Sequence, residues 1–166
     1  MATPPRAVQR VTPPPVPFDL MNKTVRWLLS SPGRARSIGD HLLLLHLTGR
    51  ASGRAIDVPV AFREEPDGRL LVLTSATWRV NLRDRPDVHV TLHGDRRPAS
   101  AELVEDPDVV AGVYARLIAE VGRARASRRL GVRVSVDRDP THAELVEAVR
   151  LDRLALVYLR LSEAGS

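Results

Sequence analysis

The seven residues Thr48-Gly49-Arg50-Ala51-Ser52-Gly53-Arg54 put two glycines, a hydroxyl and two guanidinium groups into one short turn. Gly49 and Gly53 let the backbone bend so that successive N–H groups face one point. Ser52 can donate a further hydrogen bond, and Arg50 and Arg54 add charge-assisted forks. Such a set suits a phosphate or another anion; a plain polar surface turn has the same composition, and the turn alone leaves both readings open. Further along, Trp78 and Asn81 stand three apart, so a helix would direct an indole face and an amide to the same side. They can flank a planar ligand, or serve as a core anchor and a cap.

Other chemistries find little to work with. The chain has no cysteine, which excludes disulfides, thiolate nucleophiles and thiolate metal sites together. His89 and His93 have metal-pair spacing for a helix, but on a strand they lie about 13 Å apart, too far for one ion. Gly49-Arg50-Ala51-Ser52-Gly53 misses the G-x-S-x-G elbow of serine hydrolases by one position. His46, inside an apolar run, reads as a satisfied core histidine rather than a haem ligand or proton donor. No glycine-rich dinucleotide fingerprint is present.

Lys plus Arg outnumber Asp plus Glu by 25 to 20, and nearly all the cations are Arg, whose planar fork suits phosphate and carboxylate. Arg123, Arg125, Arg128, Arg129 and Arg133 could neutralise nucleic-acid phosphates, but the aromatic side chains that would stack on bases are not interleaved with them. No apolar run of about 18 residues exists and the N-terminus lacks secretory-signal character, so no membrane span and a cytoplasmic location are expected.

The elements that must position these groups follow from periodicity. Residues 1–17 carry six of the 13 prolines and read as a flexible tail before a single domain over 18–166. A helix is expected from Asp19 to the stop at Ser31-Pro32-Gly33. Leu42 to Thr48, Asp57 to Arg63 and Arg69 to Thr74 read as antiparallel strands around turns at 48–54 and Pro66-Asp67-Gly68. Thr77 to Pro86 fits two helical turns with Thr77 as cap. Val88 to His93 is a strand, and Gly94-Asp95 is the hairpin turn into another ending near Leu103. Asp106-Pro107 starts a helix with Val109, Val110, Val113, Tyr114, Leu117, Ile118 and Val121 as its apolar stripe. Residues 122–139 could be helix over Ala124 to Leu130 or strand at Val132, Val134 and Val136. Thr141 and Glu144 form a capping box for a helix to about Arg150, and Leu154 to Leu161 is the last strand. Six strands and about four helices make an α+β domain, and antiparallel strands with short turns suggest a barrel or closed sheet.

With L-L-x-L-T-G-R-x-S-G-R at 44–54, V-P-V at 58–60 and W-R-V-N-L-R-D-R-P-D-V-x-V at 78–90 in order, the chain resembles the deazaflavin (F420)-dependent nitroreductases, within the split β-barrel group of flavin-binding and pyridoxamine-phosphate-oxidase-like proteins. The resemblance runs from about Leu42 to Val121 and implies a split barrel binding coenzyme F420, with FMN or haem as alternatives within the group. It places Arg50, Ser52 and Arg54 on the cofactor's phosphate-bearing tail. It sets Val58, Pro59, Val60, Thr74 and Ser75 along the ring or ribityl portion, with Trp78 and Asn81 beside it. It also implies hydride transfer to a small electron-poor acceptor such as a quinone, nitro compound or activated alkene, with solvent, Tyr114 or Tyr158 as proton source, and a homodimer. Between the third strand and the Trp such proteins usually carry a longer stretch; here only Ser75, Ala76 and Thr77 intervene, which motivates a second reading as a flavin- or haem-sequestering carrier without turnover.

Overall fold

The computed structural model describes residues 6–11 and 42–162; the helix expected from Asp19 lies outside them. The elements are β1 (Val8–Arg10), β2 (Leu42–Thr48), β3 (Ala55–Ala61), β4 (Arg63–Glu64), β5 (Leu70–Thr74), a 3₁₀ helix (Thr77–Leu82), β6 (Asp87–Leu92), β7 (Asp95–Val104), α1 (Pro107–Val121), a 3₁₀ turn (Arg123–Arg125), α2 (Ala126–Arg129), β8 (Val132–Val134), α3 (His142–Asp152) and β9 (Ala155–Leu161). They fall into two compact units, residues 15–103 with 157–166 and residues 1–14 with 104–156.

In the first unit the strand order is β3-β2-β6-β7-β9-β5-β4. Its two outermost strands are the same stretch of chain, separated only by Phe62, so the sheet curls until its ends meet in one bent strand. The six expected strands are all present, the second broken at Phe62 into β3 and β4. Alternation decides what fills the curl. Leu43, Leu45 and Leu47 of β2, Val58 and Val60 of β3, Phe62, Leu70 and Val72 of β5, Val88 and Val90 of β6, and Val157 and Leu159 of β9 form one buried cluster, as period-2 patterning requires. At about 25 cal/mol per Å² of apolar surface removed from water, this interior is the main source of the unit's stability. The β6–β7 turn sits one residue earlier than expected. Leu92 pairs with Asp95, leaving His93 (φ 51°) and Gly94 (φ 85°) as the left-handed pair of a two-residue hairpin.

In the second unit α1 and α3 pack together and β1 pairs antiparallel with β8. β1 lies inside the stretch expected to be a tail: residues 6–12 are free of proline, Val8 is 1% exposed, and Asp152 accepts from Arg6 Nη2 (2.9 Å) and from the Arg10 N–H (2.8 Å). The ambiguous stretch 122–139 holds both expected forms in series, a 3₁₀ turn with α2 and then β8. Asp106 caps α1 by accepting from the Asp108 N–H, and the Thr141–Glu144 capping box is complete. On α1 the buried stripe is Val110, Ala111, Tyr114, Leu117 and Ile118, while Val109 stands half exposed, because the core-facing arc lies one position further round than the valine pattern suggests.

Candidate functional site

The β2–β3 connection is a tightly cross-braced bend. The Gly49 N–H donates to Arg54 O (2.7 Å) and the Gly53 N–H to Gly49 O (2.9 Å), while the Arg54 N–H donates to Ser52 Oγ (3.2 Å). Gly53 has φ 68°, which favours glycine, and a Cβ on Gly49 would stand 2.5 Å from Ser52 Oγ, so a side chain there would have to turn the Ser52 hydroxyl aside. The Arg50 N–H is taken from outside the bend by Asn81 Oδ1 (2.8 Å), and Asn81 Nδ2 donates to Trp78 O (2.9 Å). Four amides are thereby committed, and the Ala51 and Ser52 N–H groups have no hydrogen-bond partner among the described residues. Arg50 reaches Asp84 only at 3.9 Å, with half its side chain in solvent, and Arg54 is exposed. The bend thus presents backbone donors and two guanidinium groups to solvent, a composition complementary to an anion.

Asn81 and Trp78 come from the 3₁₀ helix, which follows β5 after only two residues. Ala76, not Thr77, holds its N-cap position and makes no side-chain cap; the Ala76 N–H is instead bound back to Thr74 Oγ1 (3.0 Å). Leu82 is buried and Trp78 packs half-exposed against the barrel cluster, so the indole is an anchor with one part still open. Asn81 does not project freely toward a ligand, since both ends of its amide hold protein groups.

The structure distributes the other expected site residues unevenly. Val58 and Val60 point into the filled interior, at 9% and 8% exposure, whereas Pro59 between them lies on the outer face, paired with Leu44. Thr74 and Ser75 are half-buried at the end of β5 and just beyond it. Tyr114 is 2% exposed within the α1 stripe, and burial pushes its hydroxyl well above the usual tyrosine range. Tyr158 alternates with the core residues Val157 and Leu159, so it faces out of the barrel, with the Arg69 guanidinium 4.1 Å over its ring. Arg123 donates to Val136 O, and Arg125, Arg128, Arg129 and Arg133 are exposed.

One constellation escaped the sequence reading. His46 faces out of the barrel rather than into its core: its Nδ1 lies 2.8 Å from Asp57 Oδ1 and its Nε2 lies 2.7 Å from Thr91 Oγ1. The available signal was register. Once the turn is fixed at 48–54, His46 must stand opposite Asp57.

Residues 31–139 match the model of the family described as F420H(2)-dependent quinone reductase. The chain belongs to that family. It is accordingly an oxidoreductase. Among solved structures, a pyridoxamine 5′-phosphate oxidase-related, FMN-binding protein of Nostoc punctiforme is 14% identical over 88% of this chain and 81% of its own, with a TM-score of 0.50; the two share a fold. An F420-H2-dependent reductase, FDR-A, is 19% identical over 72% of this chain and 93% of its own, TM-score 0.43. A putative pyridoxamine 5′-phosphate oxidase of Listeria innocua is 10% identical over 80% and 94%, TM-score 0.45. No curated protein matches the chain. Among the described residues no helix is long and apolar enough to cross a membrane, and no group of three His, Cys, Asp or Glu could hold a metal ion.

Proposed function

We propose that the protein binds reduced coenzyme F420 with its anionic tail in the Gly49–Arg54 bend and catalyses reduction of a small electron-poor acceptor, such as a quinone, nitro compound or activated alkene. The observation that carries this reading is the donor set of the bend: the unbonded Ala51 and Ser52 amides beside the guanidinium groups of Arg50 and Arg54. A phosphate fits such a set because its oxygens accept from several donors at once without leaving a charge unpaired. Since the barrel interior is filled by aliphatic side chains and Phe62, the rest of the cofactor lies along the outside. The outer face of the β2–β3 hairpin, with Pro59, continues directly from the bend. When bound, the deazaflavin supplies the hydride.

The chain's own contribution is positional. Asn81 holds the bend in its open-amide form, the arginines neutralise the tail, and the half-exposed Trp78 offers an apolar flank. Fluorescence titration with F420 and FMN in parallel tests the reading: micromolar binding of F420, weakened at least tenfold in an Arg50→Ala/Arg54→Ala double variant, is expected. Binding of neither ligand would end it, and binding of FMN alone would move the cofactor to the alternative. Steady-state turnover with a quinone and a nitro acceptor separates an enzyme from a carrier.

A further inference from the structure

Cross-strand register divides the outer face of β3, β2 and β6 into rows. Thr48 stands opposite Ala55 next to the bend. The next row holds Asp57, His46 and His89, and the one after it Pro59, Leu44 and Thr91. Successive same-face rows are about 7 Å apart. A ligand anchored in the bend and extending over Pro59 therefore passes the His46 row and ends in the row of Thr91. The Asp57–His46–Thr91 chain runs diagonally in that same direction, carboxylate to imidazole to hydroxyl, at 2.8 and 2.7 Å. The side chains of His46 and Asp57 are 13% and 30% exposed, low enough to hold the contacts in one geometry and open enough to exchange protons with solvent.

The polarity of this chain depends on one proton. Facing a carboxylate, His46 Nδ1 carries its hydrogen; with the ring neutral, Nε2 accepts from the Thr91 O–H, and the hydroxyl shows only lone pairs outward. With the ring charged, the Nε2–H donates to Thr91 Oγ1, and the hydroxyl hydrogen is turned outward as a donor. We infer that Thr91 delivers the proton that completes reduction of the acceptor, with His46 and Asp57 as the positioning residues that reload it. This rests on the cofactor reading above. Hydride from the reduced deazaflavin gives the acceptor two electrons and one hydrogen, leaving an oxyanion on a quinone. That oxyanion takes the Thr91 hydroxyl hydrogen as the hydrogen on His46 Nε2 moves to Thr91 Oγ1, so no alkoxide accumulates. Neutral His46 then regains a proton from water, and the net reaction is acceptor plus hydride plus one solvent proton. Among the described residues the other charged or titratable groups on this face near the chain are His89, directly opposite His46, Asp87, one pleat along β6, and Arg96 of β7, directly opposite Thr91.

Thr91→Val keeps the β-branched shape on a strand and removes only the hydroxyl, and Thr91→Ser restores it. Expected are a fall in kcat of about 10²-fold for Thr91→Val, loss of the solvent deuterium isotope effect, F420 affinity within twofold of wild type, and recovery in Thr91→Ser. Because the relay needs the charged ring, His46→Gln is expected to remove the fall in rate on the alkaline side of the pH profile. Independently of turnover, ¹⁵N-NMR of the cofactor-free protein is expected to show neutral His46 as the Nδ1–H tautomer, shifted toward a mixture in Asp57→Asn. A wild-type Nε2–H tautomer, or unchanged kcat and isotope effect in Thr91→Val with F420 bound, would overturn the relay alone. Failure of wild-type protein to bind F420 would overturn the cofactor reading and the relay with it.

Discussion

Replacing Asn81 by alanine removes two hydrogen bonds at once, one to the Arg50 N–H and one from Nδ2 to Trp78 O. Each contributes a net ~0.5–1.5 kcal/mol in a typical protein setting. The Arg50 contact is exposed, which places the pair toward the lower end, at ~1–2 kcal/mol. That free energy is what separates the braced bend from a frayed one, so Asn81→Ala is expected to speed exchange of the Arg50 amide hydrogen by about 5- to 30-fold at constant pH. If the anion selects the braced form, part of the same cost reappears in binding. A loss of ~1 kcal/mol weakens F420 binding about fivefold, measured by fluorescence titration. Asn81→Asp keeps an acceptor for Arg50 but loses the donor to Trp78, and should fall between. Unchanged Arg50 protection in Asn81→Ala would refute the claim that the amide braces the bend, whatever happens to affinity.

Gly49→Ala forces its new methyl against Ser52 Oγ; the hydroxyl must turn away from the Arg54 N–H, at a cost of ~1 kcal/mol in urea unfolding, and the cost should shrink in a Ser52→Ala background. Tyr114→Phe should leave turnover within about twofold of wild type, because the buried hydroxyl is held protonated far above neutral pH; a tenfold drop would restore it as a proton source. Glu144 is held down to about 2 by the Arg138 side chain first and the Thr141 N–H second. Its folded value lies below the unfolded one, so its contribution is present above about pH 4.5 and is lost between there and about pH 2. Carbon-13 titration of the Glu144 carboxyl should give that low midpoint and an upward move in Arg138→Ala.

Where one local rule governs, the sequence reading and the structure agree. The strand at Leu42–Thr48, the Asp106 cap and the Thr141–Glu144 box depend on residues a few positions apart, and each stands where the apolar run and the capping chemistry put it. β1 was hidden because prolines on both sides mask a proline-free window that becomes a strand only through its partner β8 and the Asp152 carboxylate. Val58 and Val60 show a different limit. Family resemblance assigns them to a ring, yet the pleat sends both inward, and of the three only Pro59 lies on the outer face along which the proposed cofactor would extend. The His46 contacts depend on register across three strands, which the spacing within any one of them does not contain. The bend itself was visible as a donor-rich turn, but the partner of its Arg50 amide lies 31 residues further along the chain.

That partner gives the short Ser75-Ala76-Thr77 stretch a meaning beyond lost contacts. Here only Ser75 and Ala76 separate the end of β5 at Thr74 from the start of the 3₁₀ helix at Thr77. With Thr74 Oγ1 tying the Ala76 amide back, the helix has little freedom to swing away from the barrel rim. Buried Leu82 fixes its far end and Trp78 its near end, which leaves Asn81, between them, aimed at Arg50. The short link thus favours rigidity: under the proposed function the donors of the bend are arranged before an anion arrives, and ordering them does not count against binding. Inserting two glycines after Ala76 separates these effects. It adds no donor side chain and frees the helix, so F420 affinity should fall by about as much as in Asn81→Ala, and combining the two changes should weaken binding little further. Full additivity of the two would show that the brace and the short link act independently.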